Sequence, residues 1–593
     1  MIRKQRPFFP ASPNTKIFTF YDYETTGINS KYDQAVQFAS ANYDAQTLEK
    51  IPGSEVNIFC KLRPDVVPNP YAFKVTHIDP VHLERNGLNE LEFAKQVKMA
   101  LSGQGKCNAG YNSIRFDDEV TRNLFYRNLY DPYEHEWRHR NHRTDIFYMM
   151  QAAYAICPEI LEWPTTMVDG KETVSLKLEN LSQANGIIHE NAHDALSDIY
   201  ATAGMAKLVK EANPRFFDYM MGMSVGDNVK KLLCRGSALV NISGFNGKDN
   251  HFVNVIKPLK VDKYNSKKYI CVDLTEDLTE MWDLTPEEMR QYMFTKRTER
   301  PALAPKIAGC TIQTNKCPML FPAESVLTAE RAARWGDLNL DRINKNLELL
   351  SKDNDVGQRL MEAYNGREWP SEHVMGDLYG GFFEDHQKDS RARLLSPVPA
   401  KNNEPRLKYV DALDAALKMD DDRHVGILLH AKYGNYLNEL VNQQEYSPAE
   451  LRLYVEFLEE RLTQPQYDGD LTLDSFNEAC NAMDMEFELT GEEKEIIKKL
   501  RHHVEISSEN FEALKGLVSS PQFQMYADQE LAKDPNKIAL IDKFRQRYTQ
   551  NTEEVTLIAE EEKALETEVK TQQGQREPET TKETEECVLD AGF

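Results

Sequence analysis

The sequence predicts a multidomain chain, α/β at its start and all-helical toward its end, with a smaller β-containing part between. Three observations predict it. Strand-like apolar runs alternate with helical patterns from about residue 15 to 210, as in an α/β layer. A mixed pattern follows to about 365, and helical periodicity then holds to about 550. At 593 residues the chain also exceeds what one hydrophobic core organises.

In order along the chain, strands are expected over 17–23, 35–44 and 56–62, and a helix over 90–101. A strand over 105–112 and a helix over 117–129 come next, then helices over 178–185 and 195–210. The middle part carries short β-like runs at 238–242, 252–256 and 269–274 and a helical stretch at 338–350. In the last part the clearest helices are 450–461 and 491–503. The end, rich in Glu, Thr and Gln, lacks the apolar residues to bury a core and reads as disordered. The chain shows no internal repeat.

Composition excludes some classes. No apolar stretch reaches the length of a membrane span. The first sixteen residues hold four basic and no acidic side chains, but no apolar run follows, so they read as a flexible basic arm rather than a signal peptide. Nine cysteines without a CxxC pair suit reduced thiols in a cytoplasm. The net charge of −24 weighs against a polyanionic partner. Residues 551–593, with 13 acidic and 4 basic side chains, carry a disproportionate part of it. Screening over about 8 Å also makes global charge a poor guide to one groove.

Three segments carry chemistry. In Phe18-Thr-Phe-Tyr-Asp22-Tyr-Glu24, side chains two apart on a strand share a face, so Asp22 and Glu24 project together. Two carboxylates held so close repel unless a cation sits between them. Gly27 then lets the chain turn sharply and a ligand approach the backbone. In Asn112-Ser-Ile-Arg-Phe116-Asp117-Asp118, an acid opens a helix. In His193-Asp-Ala-Leu-Ser-Asp198, a histidine stands at a helix entrance and an acid over one turn inside. Singly, each is an ordinary strand end or helix cap.

Together and in this order, D-x-E, N-x3-F-D and H-x4-D resemble the DEDD exonuclease superfamily in its histidine variant, whose fold is similar to ribonuclease H. All five positions are filled: Asp22, Glu24, Asp117, His193 and Asp198. The resemblance narrows to the bacterial exonuclease I family. It is carried by GYNSIRFDDEVTRNLFYRNLYDPY (110–133), NAHDALSDIYATAGMAKLVK (191–210), NKCPML (315–320) and LYGGFF (378–383), and spans about residues 13 to 550.

That resemblance implies a ribonuclease H-like nuclease domain over 13–213, an SH3-like domain over 214–366 and a helical domain over 367–550, between an arm at 1–12 and the tail at 551–593. It implies a 3′–5′ exonuclease that degrades single-stranded DNA processively to 5′-mononucleotides in DNA repair. Such hydrolysis needs an activated water and a stabilised leaving oxygen, which two Mg²⁺ or Mn²⁺ ions about 3.5–4 Å apart provide. Asp22, Glu24 and Asp198 would hold them and Asp117 would complete the second ion's shell, with Asp118 as the rival for that role. His193 would be the general base. Glu24, Lys177, Arg122, Tyr133 and Trp137 would line the strand's path. The family more typically has Arg at the position of Lys177 in SLKLENL (175–181), so here the bidentate fork is lost.

The implied partners are single-stranded DNA and the acidic C-terminal peptide of single-stranded DNA-binding protein, with the enzyme a cytoplasmic monomer and no membrane involved. The chain's own end is likewise acidic and closes on Phe593, so it would compete with that peptide if it mimics it. A proofreading subunit or ribonuclease of the same superfamily would need only the first domain. A catalytically dead scaffold would be expected to lack one of the five residues.

Overall fold

The computed structural model describes residues 9–10, 13–168, 170–188, 194–295, 304–336, 338–352, 355–366, 373–467 and 469–548. The acidic tail, and all but two residues of the basic arm, lie outside the described residues.

In the first domain β1 (Ile17–Thr25), β2 (Ala35–Asp44), β3 (Val56–Phe59), β4 (Lys106–Gly110) and β5 (His142–Asp145) form one sheet in the order β3-β2-β1-β4-β5. β1, β2 and β3 pair antiparallel, whereas β4 and β5 run parallel to β1. Parallel neighbours need crossovers, and helices Glu90–Leu101 and Asp117–Arg127 lie on those connections. β1 is aromatic because both its faces are covered. Phe18 and Phe20 pack with helices Ile146–Ile156 and Ala195–Ala212, while Tyr21 and Tyr23 pack with Glu90–Leu101 and Asp117–Arg127. A small hairpin, β6 (Thr165–Val168) and β7 (Lys171–Val174), precedes helix Leu178–Ala184.

The second domain holds β8 (Leu239–Ile242), β9 (Val253–Val261), β10 (Lys268–Asp273), β11 (Gly309–Gln313) and β12 (Met319–Pro322) in one sheet of order β11-β10-β9-β8-β12. Its core is continuous with that of the first domain. The last carbonyls of a helix lack intrahelical partners. Here those of Ile146–Ile156 are met from the second domain: the indole of buried Trp335 donates to Ala155 O at 2.9 Å, and Arg331 Nη2 to Ile156 O at 3.1 Å.

The third domain is helical, and its long helices outrun the expected ones. Gly491–Ser519 starts at a capping box between Thr490 and Glu493 and ends at Ser520, which caps the next helix ahead of Pro521. Helices Arg423–Gln443 and Pro448–Thr463 pack in one core with Val36, Phe73 and Tyr126 of the first domain. A buried ionic seam reinforces that contact. Arg63 bridges Asp65 and Glu90, and Arg461 and His430 approach the same two carboxylates from the third domain. No helix among the described residues is long and apolar enough to cross a membrane.

Candidate active site

The site is built on the end of β1. Asp22 stands opposite Ala39 and Glu24 opposite Gln37 in the β1–β2 ladder, so both carboxylates share the face that helix Ala195–Ala212 covers. The first turn of that helix brings Asp198 to them. Oxygens of Asp22, Glu24 and Asp198 lie within 4.8 Å of one another. β4 ends at Gly110, and beyond it the Tyr23 N–H is taken by Asp117 Oδ1 at 3.2 Å. The four acids that the sequence set apart by up to 176 positions therefore converge, three of them in one cluster and Asp117 at its flank.

Their electrostatics are those of a cluster short of positive charge. Burial raises Asp22 well above the usual carboxylate range, and the charges of Asp117, Asp198 and Glu24 raise it further. Glu24 is raised by burial and then by Asp198 and Asp117. Burial and Asp118 raise Asp117. A divalent cation would relieve both the repulsion and the desolvation, and an all-carboxylate donor set suits a hard ion. The residues fit a divalent metal.

Asp118, the rival of Asp117, is spent elsewhere. Its Oδ1 accepts the Tyr21 hydroxyl at 2.6 Å and its other oxygen pairs with Arg143, so it anchors the helix that Asp117 opens to β1 and β5. The turn before that helix is held by Asp145, whose oxygens accept the N–H groups of Asn112 at 2.9 Å and Ile114 at 3.0 Å. Burial pushes Asp145 up to about 7. Asp145 was not singled out from the sequence, although an Asp directly before the apolar run Ile146-Phe-Tyr-Met-Met is a helix-cap signal.

At Gly27 a Cβ would lie 2.4 Å from the carboxylate of buried Asp33, so a side chain there would force Asp33 to shift. Arg122, expected to contact the strand, is 3% exposed and already committed. Its guanidinium donates to Glu136 and Glu119, each at 2.6 Å, and to the Tyr379 hydroxyl at 3.2 Å. Glu119 also accepts the Tyr379 hydroxyl and lies 3.5 Å from Lys316. All three domains thus meet on the helix that Asp117 opens. The segments 315–320 and 378–383 are the other sides of this seam: Arg143 Nη2 donates to Asn315 O at 2.8 Å, and Cys317 Sγ to Arg143 O at 3.1 Å.

Lys177 is exposed at the start of helix Leu178–Ala184, just after Leu176, whose carbonyl accepts the Tyr111 hydroxyl. Tyr133 is half-buried under Arg122 with Phe382 against its edge, and Trp137 is 64% exposed nearby in sequence. His193 lies outside the described residues.

A family model described as Exonuclease matches residues 19–206, and one for the Exonuclease I SH3-like domain matches residues 226–366. Exodeoxyribonuclease I of Haemophilus influenzae is 34% identical over 435 residues, which cover 72% of this chain and 88% of that protein. The zinc-ion-bound form of an Escherichia coli ExoI–ssDNA complex is 30% identical with a TM-score of 0.73, covering 83% of this chain and all of that one. An ExoI/SSB-Ct complex matches at 30% identity and a TM-score of 0.72, with 83% of this chain and 100% of that chain covered. With the carboxylate cluster in place and both domains recognised, this chain belongs to the exodeoxyribonuclease I family.

Proposed function

We propose that this chain is a cytoplasmic, monomeric exonuclease that shortens single-stranded DNA from its 3′ end, releasing 5′-mononucleotides processively. The observation that carries the reading is the convergence of Asp22, Glu24 and Asp198 within 4.8 Å, with Asp117 at the flank. Asp22, Glu24, Asp198 and Asp117 would hold two Mg²⁺ ions, replaceable by Mn²⁺, which when bound supply Lewis-acid activation of water and charge stabilisation at the leaving 3′ oxygen.

The chain's own residues do the rest. His193 takes the proton of the attacking water as it adds to phosphorus, the general-base role that an imidazole suits near neutral pH. The P–O3′ bond breaks and the terminal nucleotide leaves with its 5′-phosphate. Glu24 also lies against that nucleotide. Lys177 neutralises a phosphate as a point charge rather than a fork. Tyr133 and Trp137 offer ring faces to bases, which stack without sequence preference. Asp118 and Asp145 keep the helix of Asp117 in register. The three domains, bounded near 213 and 366, would hold the strand between successive cuts. Similarity to the ExoI/SSB-Ct complex supports the acidic C-terminal peptide of single-stranded DNA-binding protein as a partner.

The test is the purified full-length protein on end-labelled single strands of DNA and RNA, with Mg²⁺ or with chelator. Mononucleotide release from the DNA 3′ end, restored by Mg²⁺ after chelation, is expected. Full activity in chelator, or RNA cut as fast as DNA, would overturn the reading.

A further inference from the structure

We propose that Gln37 is a positioning residue for the metal-binding carboxylates, fixing the helix that carries Asp198 against the strand that carries Glu24. This inference rests on the metal-dependent reading above. Gln37 faces Glu24 directly across the β1–β2 ladder, so its side chain shares the site's face of the sheet, and it is 2% exposed. Its amide nitrogen donates both hydrogens: to Asp194 Oδ1 at 3.0 Å and to Asn57 Oδ1 at 3.0 Å.

Asp194 is the cap of helix Ala195–Ala212. Its second oxygen accepts the Ser197 N–H at 3.3 Å, and its carbonyl accepts the Asp198 N–H at 3.1 Å. From Gln37 to Asp198 the path is therefore one side-chain hydrogen bond, one cap and one helical turn. Gln37 and Glu24 ride on paired strands, so the same bond sets the distance between Glu24 and Asp198, which must stay short to share an ion.

The residue type matters as well as the contact. Asp194 already adds negative charge to the field at Asp22 and Glu24. An N–H donor holds that carboxylate in the cap; an acid at position 37 would push it away, and an alanine would leave it free to turn. Outer partners of metal ligands act in this way, by fixing the orientation of the groups that bind.

The experiment measures Mg²⁺ binding to full-length protein by titration calorimetry, without DNA. It compares wild type, Gln37→Ala, Gln37→Glu and the double exchange Gln37→Glu with Asp194→Asn. Each single variant at position 37 is expected to weaken Mg²⁺ binding about 10–100-fold, the usual range for such partners. KM for the strand at saturating metal should stay unchanged. The double exchange restores one N–H facing one carboxylate at unchanged net charge, and keeps a competent cap, so it should recover most of the lost affinity. Wild-type affinity in both single variants, or a double exchange that binds no better than Gln37→Glu, would overturn the proposal. A wild type that binds no Mg²⁺ would instead sink the metal-dependent reading, so the two failures are distinct.

Discussion

Two groups of buried or half-buried carboxylates lie in the nuclease domain, and their neighbours differ in sign. At the end of β1 the charges that bear most on Asp22 are those of Asp117, Asp198 and Glu24, all negative. At the seam with the helical domain, Asp65 and Glu90 face arginines. Arg63 donates to Asp65 at 2.9 Å and to Glu90 at 2.6 Å, and Arg127 donates to Glu90 at 3.0 Å. Burial on its own raises all of these acids. In the seam the arginines more than reverse it and hold Asp65 and Glu90 well below the ordinary range, whereas in the cluster the neighbours add to it. Burial of an acid therefore does not mark an active site. An acid cluster without cationic neighbours points to one, because its repulsion is relieved only by a bound cation or by bound protons.

The sharpest way to break this contrast is Asp22→Asn. Turnover on labelled single-stranded DNA in Mg²⁺ should fall by orders of magnitude while the fold stays cooperative. In chelator the variant should melt above wild type, since one repelling charge has gone. A variant that melts below wild type would mean that the cluster is already neutralised from within the chain.

Next in size is His193→Ala, expected to cost about 10²–10⁴ in rate with DNA affinity little changed. A parallel loss of binding would make the residue a substrate or fold contact instead.

On the seam, Glu90→Gln removes the partner of two buried arginines and should cost about 3–5 kcal/mol in urea unfolding, the usual result of breaking a buried pair. Mg²⁺ affinity should not move.

The two regions should also answer pH in opposite senses. Raised folded pKa values mean that the folded, chelated protein holds protons which the unfolded chain releases near pH 4. The cluster's contribution therefore falls as pH climbs above that range, and the melting gap between Asp22→Asn and wild type should widen toward neutral pH. Depressed values at Asp65 and Glu90 mean a contribution complete above about pH 4 and lost as pH falls through them. The gap between wild type and Glu90→Gln should therefore shrink in acid.

The smallest effect separates two cations. Lys177→Ala should reduce the slope of log affinity for single-stranded DNA against log salt by about 0.7. Arg122→Gln should leave that slope alone and lower the melting temperature. A reduced slope for Arg122→Gln would return it to the strand's path.

Much of this could be read along the chain, because local geometry repeats at fixed intervals. A strand turns alternate side chains to one face, so D-x-E alone places Asp22 and Glu24 together. Strand Ala35–Asp44 and helix Glu90–Leu101 have the expected bounds to the residue, since their apolar patterns and caps are complete within the segment. β5 was not foreseen: its four residues, His-Arg-Thr-Asp, show no apolar alternation, and it is a strand because β4 pairs with it.

What the chain order could not decide was everything set by partners far away in sequence. Asp117 and Asp118 are adjacent and alike, and only Tyr21 and Arg143, 97 and 25 positions away, draw Asp118 to the other side. Arg122 has the sequence look of a surface cation, yet Tyr379, 257 positions on, helps bury it. Gln37 is one of several polar residues in its strand until Asp194, 157 positions later, arrives as its acceptor. Periodicity fixes which way a side chain points; what it meets there depends on which elements the tertiary fold packs against it.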